Sequence, residues 1–169
     1  KKLKFGMNVA SVALRDPLVL AKQCATIDVL SNGRILPAFG IGSTHSADWR
    51  TTGRPTKRRG KRTDESLEII GALWRGETVS LDGEFFQYDG VRISPLPMQK
   101  VLPLWIGGSS EAAIRRTVKY GTGWQASFEN PAQAGVTVEA IKQGMIDAGR
   151  DFEDDHFGTG INFRFGKWD

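Results

Sequence analysis

The chain has 169 residues, of which 40% are hydrophobic and 25% charged, a composition typical of one globular domain with a buried core. The single cysteine, Cys24, excludes a disulfide framework and favours a reducing compartment, and no apolar run is long enough to span a bilayer. We therefore expect a cytoplasmic protein without a membrane partner.

The net charge of +4 comes from one short segment. Residues 54–62 contain six lysines and arginines, and without them the net charge would be −2. No aromatic residues alternate with these basic ones for base stacking, so we expect a solvated loop and no nucleic-acid partner. A subsite for an anionic ligand is a second interpretation of the same segment.

The first strand and the first helix are predicted within residues 3–33. Residues 3–12 suit a strand, which bends or ends within 5–9. Asp16 can cap the helix that follows, Pro17 suits its first position, and Asn32-Gly33 stops it. Apolar residues at helical spacing predict its buried stripe: Leu20, Ala21, Cys24, Ala25 and Ile27.

The second strand is the apolar run 34–42, which does not alternate with polar residues and therefore suits burial on both faces. Such strands are usually parallel, with helices outside and ligands at their carboxyl ends. Gly40 and Gly42 stand at that end and would let a ligand approach the backbone, although a simple turn explains them equally well. Pro37 removes a ladder donor, so we expect irregular pairing there.

Residues 43–93 predict a loop, a helix and a hairpin. Residues 43–62 form a long polar loop, which is unusual unless it covers a site. A helix then starts near Asp64 and ends at Gly76. Within residues 78–93 the dipeptide Asp82-Gly83 between two apolar runs indicates a β-hairpin.

The remainder repeats the strand–glycine–helix pattern. We predict strands within 104–108, 123–127 and 158–165, with helices over 109–120 and from Asn130 onward. Five parallel strands that alternate with helices make an α/β fold. A closed eight-stranded barrel needs about 250 residues, so this chain cannot complete one.

Common phosphate and metal motifs do not fit the sequence. His45 stands where a dinucleotide fingerprint that begins at Gly40 needs its third glycine, and Gly60-Lys61 lacks the rest of a phosphate loop. With two histidines and one cysteine in the chain, we predict no metal site.

Seven blocks resemble the bacterial luciferase-like monooxygenases, a superfamily that uses FMN or a deazaflavin coenzyme. They occur in order from about Leu3 to Trp124 and more loosely to Phe165, and they characterise the superfamily without distinguishing its members. The blocks are 14–23, 27–34, 40–42, 59–60 with 64–65, 73–74, 82–86 and 103–109.

The resemblance implies a (β/α)8 TIM barrel with the flavin at the carboxyl ends of its strands. By this alignment residues 1–169 are one incomplete barrel domain that lacks the first two strands and the last, with the hairpin near residues 78–93 inserted. We expect this piece alone to be inactive, and to expose apolar strand edges where the other strands would dock.

The resemblance also implies where the flavin phosphate and ring bind. Gly107, Gly108 and Ser109 match the segment that holds the phosphate tail, and backbone N–H groups before a helix suit an anion independently. Asn8 and Val9 match a bulge behind the flavin ring, often with a cis peptide bond between them; an ordinary strand end is the alternative.

Three further positions are less specific. Arg34 matches an arginine that pairs with the phosphate in some relatives, although a surface arginine beside a turn is as good an interpretation. Ser43 follows Gly42 where many relatives have an acidic residue, so its contact with a ligand would differ. His45 is a weak candidate for a proton donor, against a solvated loop histidine.

The function that the resemblance implies is that of a flavin-dependent oxidoreductase or monooxygenase, with FMN as cofactor and a small organic substrate. A deazaflavin-dependent hydride-transfer enzyme and a non-catalytic partner subunit are the alternatives. No catalytic residue is assigned, because the family's usual ones lie on strands outside this sequence. A homo-oligomer is compatible with it.

Overall fold

A computed structural model describes residues 3–127, 129–151, 153, 156–161 and 165–166. Two short strands open this part of the chain, and stretches of helix and strand follow. Its elements are β1 Phe5–Gly6, β2 Ala10–Ser11, α1 Pro17–Ser31, β3 Ile35–Leu36, β4 Ala38–Gly40, α2 Ala47–Thr52, α3 Arg59–Trp74, β5 Val79–Asp82, β6 Gln87–Val91, β7 Trp105–Gly107, α4 Glu111–Tyr120, β8 Gly123–Gln125, α5 Pro131–Asp147 and β9 Phe157–Gly158.

The strands form a parallel sheet in chain order, β2-β4-β7-β8-β9, and β1 pairs in parallel with β3 beside it. Because β1 with β2, and β3 with β4, are each one interrupted strand, the described residues contain the five parallel strands predicted. The second interruption falls at Pro37, whose carbonyl accepts a hydrogen bond from Trp105 N at 3.0 Å. The predicted α/β fold, part of a (β/α)8 barrel, is confirmed.

Helix α1 has the ends that the sequence predicts. Pro17 is its first residue, the Asp16 carboxylate accepts a hydrogen bond from Val19 N at 3.0 Å, and Asn32 ends it in the left-handed conformation at φ 57°. Its predicted apolar stripe is buried except for Ile27, which is 40% exposed, so that position was predicted wrongly. None of the helices in the described residues is long and apolar enough to cross a membrane.

The main core lies between the sheet and helices α1 and α3. Phe39 of the sheet and Leu67, Ile70 and Leu73 of α3 are fully buried there. A second cluster lies beneath α5, where Trp124 packs against Ile141. Helix α3 also contacts α4, which brings the beginnings of these two helices together at one edge of the sheet.

The segment predicted as a polar loop is more ordered than expected. It contains α2, which the buried Trp49 anchors, and α3 begins at Arg59 rather than near Asp64. Arg62 lies over the rings of Phe85 and Phe86, 5.7 and 4.9 Å from their centroids, and its burial lowers its pKa. Part of the basic segment therefore packs on the protein instead of being fully solvated.

The hairpin is confirmed, whereas the last strand is shorter than predicted. Strands β5 and β6 pair in an antiparallel manner from Asp82 and Gln87, and the Glu65 carboxylate accepts a hydrogen bond from Phe86 N in the turn at 2.8 Å. Strand β9 ends at Gly158, and Ile161, which lies within the predicted strand 158–165, is exposed and belongs to no strand. Phe163, also assigned to this strand, lies outside the described residues.

Candidate functional site

A cavity of about 200 Å³ opens at the carboxyl ends of two neighbouring strands. Phe39 of β4 pairs with Ile106 of β7, so Gly40 and Gly107 stand beside each other at this edge. The beginnings of α3 and α4 close the cavity from outside. It is lined by Phe39, Gly40, Ile41, Thr63, Leu67, Ile106, Gly107, Gly108, Ser109, Ser110, Ala113 and Arg116.

The connection from β7 to α4 presents backbone N–H groups at this cavity. Gly108 has φ +101°, a conformation that favours glycine, and Ser110 caps α4 by accepting a hydrogen bond from Ala113 N at 3.3 Å. The first N–H groups of a helix have no partner within it and lie at its positive end. This end of α4 therefore suits an anion.

Trp124 orients the same connection. Its indole N–H donates a hydrogen bond to the Gly108 carbonyl at 2.8 Å, and its strand, β8, lies on the side of β7 away from β4. The C=O and N–H of a trans peptide point in opposite directions. The Gly108 carbonyl therefore faces the Trp124 indole and the Ser109 N–H is turned away from it, and both residues line the cavity.

Two side chains from the helices complete the polar part of the wall. Thr63 of α3 is 1% exposed, and its hydroxyl oxygen has no hydrogen-bond partner among the described residues. Arg116 of α4 is held by the Asp64 carboxylate, which accepts from its Nε at 2.6 Å. A Cβ at Gly60 would lie 2.9 Å from the Arg116 guanidinium, so the glycine leaves room for that group.

Val9 lies on the opposite face of the same two strands. A Cβ at Gly40 would be 2.8 Å from Val9 Cγ2, and one at Gly107 would be 2.8 Å from Val9 Cγ1. The absence of side chains at these glycines thus makes room for Val9, whatever ligand binds. The Asn8–Val9 peptide bond is cis, as the resemblance implied, and the Asn8 amide lies close to Gly160.

The predicted residues after β4 lie beside α2 rather than in the cavity wall. Gly42 has φ +69°, and a Cβ there would lie 2.6 Å from the Trp49 indole nitrogen. Ser43 is exposed and accepts a hydrogen bond from His45 N at 3.3 Å, and the His45 carbonyl accepts one from Arg50. Roles for Ser43 and His45 remain predictions.

Arg34 does not lie with the other predicted residues. It precedes β3 and therefore stands at the amino end of the sheet, opposite the cavity. Its Nε donates to the Ser31 carbonyl at 2.7 Å, and its guanidinium lies over the Phe5 ring at 5.6 Å. We therefore leave Arg34 out of the site, because these contacts secure the beginning of the strand.

Sequence reasoning missed Thr63, Arg116 and the hydrogen bond from Trp124 to Gly108. Thr63 was not predicted to line the cavity, because the predicted start of α3, near Asp64, left Thr63 in the preceding loop. Arg116 carries no local signal, since only the packing of α3 against α4 brings it to the cavity. The Gly-x-Gly-Trp pattern that ends in Trp124 could have indicated a role beside Gly108.

Comparison with known proteins identifies the family. The profile of the luciferase-like monooxygenase family matches residues 1–166, and the chain belongs to this family. An uncharacterised protein of Mycobacterium tuberculosis is 30% identical over 150 residues, which cover 88% of this chain and 51% of that protein. A phthiodiolone/phenolphthiodiolone dimycocerosates ketoreductase of Mycobacterium kansasii is 28% identical over 160 residues, or 89% of this chain and 42% of that protein.

Solved structures show the same fold. A monooxygenase from Streptomyces bottropensis has a TM-score of 0.82 at 20% identity, covering 92% of this chain and 48% of its own. An F420-dependent secondary alcohol dehydrogenase has a TM-score of 0.79 at 23% identity, and the match covers 94% of this chain and 48% of the dehydrogenase. The FMN complex of the oxygenating constituent of 3,6-diketocamphane monooxygenase from Pseudomonas putida has a TM-score of 0.78 at 18% identity. This match also covers 94% of this chain and 48% of the other.

The chain spans about half the length of the curated relatives it matches. Its coverage of about half of each solved structure fits an incomplete barrel.

Proposed function

We propose that this protein is a flavin-dependent oxidoreductase that binds FMN at the carboxyl ends of its strands and carries out monooxygenation of a small organic substrate. The observation that carries the proposal is the start of α4, where Gly108, Ser109 and Ser110 line a cavity between two helices and the Trp124 indole holds the Gly108 carbonyl. A phosphate group fits this arrangement, because its oxygens accept hydrogen bonds and its charge suits the helix end.

The residues divide between the two ends of the cofactor. Gly107, Gly108 and Ser109 would hold the phosphate tail, and Asn8 and Val9 would support the ring from the inner face of the sheet. A bound flavin supplies the redox chemistry, while the protein supplies position and exclusion of water. Gly40 and Gly42 keep the adjacent strand end free of side chains, although Gly40 also has a packing role against Val9.

A deazaflavin-dependent hydride-transfer enzyme is the second candidate. It is favoured by the similarity to the F420-dependent alcohol dehydrogenase, just as the FMN complex favours the first. Both cofactors carry a phosphate on a chain attached to a three-ring system. The phosphate site described above suits either cofactor.

A non-catalytic partner subunit would keep the fold and lose the cofactor. Gly40 and Gly107 do not argue against this alternative, since Val9 requires them for packing. Gly108 does argue against it, because it lines the cavity and a Cβ there would meet only an ordinary contact, so neighbouring side chains do not require a glycine at this position. Cofactor binding by the unaltered protein distinguishes an enzyme from a partner subunit, and substitution at Gly108 tests where the cofactor binds.

Binding of FMN and of the deazaflavin coenzyme to the full-length protein, measured by quenching of the cofactor's fluorescence, tests the proposal. We expect one of them to bind at about micromolar concentration or below. Failure of both to bind in that range would refute an enzymatic role.

Gly108→Val should abolish this binding and leave the fold largely intact. A β-branched side chain disfavours φ +101° and would displace the amides at the start of α4. The matched control is Gly149→Val, also at positive φ (+63°) but with open space around it, just after the end of α5. Equal cofactor binding by both variants would show that Gly108 is not part of the cofactor site.

A further inference from the structure

We propose that Thr63 and Arg116 form the side-chain half of the phosphate subsite, opposite the N–H groups at the start of α4, and so select phosphorylated flavins over riboflavin. This inference rests on the proposed function, because the phosphate is that of the cofactor. It adds two residues, from α3 and α4, to a site otherwise built from backbone.

The Thr63 hydroxyl stands apart from other hydroxyl groups in the helices. Ser66, Thr117 and Thr137 each donate to the carbonyl four residues earlier, at 2.8, 3.0 and 3.1 Å. The Thr63 hydroxyl makes no such bond and has no other partner within the described residues, although it is buried. A buried hydroxyl is usually hydrogen-bonded, and because Thr63 lines the cavity, an acceptor bound there would satisfy it.

Arg116 supplies the positive charge of the wall. Its side chain is 11% exposed, and Asp64 accepts from both its Nε (2.6 Å) and its NH2 (3.4 Å). The carboxylate fixes the plane of the guanidinium and leaves NH1 for another acceptor. A fixed guanidinium is well suited to phosphate oxygens.

The shape of the cavity wall agrees with this assignment. Arg116 is the charged residue among those that line the cavity, and Gly60 leaves the space that its guanidinium fills. The preceding residue, Arg115, is 64% exposed and pairs with Glu111. The positive charge at the cavity therefore comes from Arg116 and not from the other basic residues of α4.

The test compares dissociation constants for FMN and riboflavin, which differ only by the phosphate, in the full-length protein and its variants. Thr63→Val keeps the shape and removes the hydroxyl, and Arg116→Gln removes the charge. We expect each to weaken FMN binding by about tenfold or more, since hydrogen bonds to charged groups are lost. Riboflavin binding should change by no more than about twofold, because it has no phosphate to lose those bonds.

Two controls separate the subsite from general damage. Thr63→Ser keeps the hydroxyl and should keep FMN affinity, and Arg115→Gln makes the same charge change on the exposed face and should do likewise. If Arg116→Gln does not fold, because Asp64 is left unpaired, the Thr63→Val comparison decides alone. Should the deazaflavin coenzyme be the one that binds, the same comparison is made with its phosphate-free form.

The outcomes distinguish the inference from the proposed function. Absence of binding by any flavin to the unaltered protein overturns the proposed function and this inference with it. Tight FMN binding with an FMN-to-riboflavin ratio unchanged in Thr63→Val overturns the inference alone. A ratio that falls in Thr63→Val and Arg116→Gln, and holds in both controls, supports it.

Discussion

Val9 is wedged against two strand ends, and replacing Gly107 with alanine tests this packing. The new Cβ would lie 2.8 Å from Val9 Cγ1 and 3.2 Å from Val9 Cγ2, closer than side chains normally approach. Strand β7 pairs with β4 on one side and β8 on the other, so its backbone cannot move away freely. We expect Gly107→Ala to destabilise the fold by about 1–3 kcal/mol, the usual range for overpacking.

The cause can be isolated by removing the Val9 methyl groups. Val9→Ala alone should destabilise by about 1 kcal/mol, since the side chain is only half-buried. In that background the Gly107→Ala change should be nearly neutral, because the atoms it would clash with are gone. The two substitutions should therefore show a favourable coupling energy of about 1–2 kcal/mol.

Urea unfolding of the four proteins, followed by circular dichroism, measures this coupling. Gly135→Ala is the control, because Gly135 lies in α5 with nothing within 4 Å of its added Cβ, and there we expect a gain of about 0.5–1 kcal/mol. Additive effects of Gly107→Ala and Val9→Ala would refute the wedge.

Two other predictions concern stability and association. Burial raises the pKa of the Cys24 thiol from 9.0 to about 11, so the unfolded chain loses this proton at lower pH than the folded one, and stability falls as pH rises from about 9 towards 11. Between about pH 8 and about pH 10.5, the free energy of unfolding should therefore fall by about 2 kcal/mol less in Cys24→Ala than in the unaltered protein. Urea unfolding at the two pH values measures both falls, and equal falls would contradict the raised pKa of Cys24. Residues 1–169 alone should self-associate through the exposed apolar side chains beside β1 and on α1, among them Leu3, Val19 and Leu30. A monodisperse monomer in analytical ultracentrifugation would contradict that expectation.

Helix and strand ends with local signals could be predicted from sequence, and those without could not. Asp16, Pro17 and Asn32 specify the ends of α1 through their own side chains and backbone preferences. Helix α3 has no such start: Arg58 precedes it at φ 62° without a side-chain cap. Contacts between Arg62 and the hairpin favour the early start, and these join segments far apart in the chain.

The candidate site shows the same division. The glycines after β7 were predicted because a strand, two glycines and a helix follow one another directly in the sequence. Arg34 was included by resemblance alone, although its place before β3 puts it at the amino end of the sheet. Thr63 and Arg116 meet only through the packing of α3 on α4, which periodicity within either helix does not reveal.

Under the proposed function, the two faces of β4 and β7 would bind different parts of the cofactor, and binding can test this. Their outer side borders the cavity proposed for the phosphate, and their inner side carries Val9. A change to Val9 should therefore act on the flavin ring, which FMN and riboflavin share. A change at the cavity wall should act only on the phosphate.

We accordingly expect Val9→Ala to weaken FMN and riboflavin by the same factor, about fivefold, because two methyl groups are lost from the surface that supports the ring. Fluorescence quenching with both ligands measures the factor, and Val19→Ala, which removes an exposed valine on α1, is the control. A loss confined to FMN would show that Val9 acts through the phosphate, and the ring would then have to bind elsewhere than on the inner face of these strands.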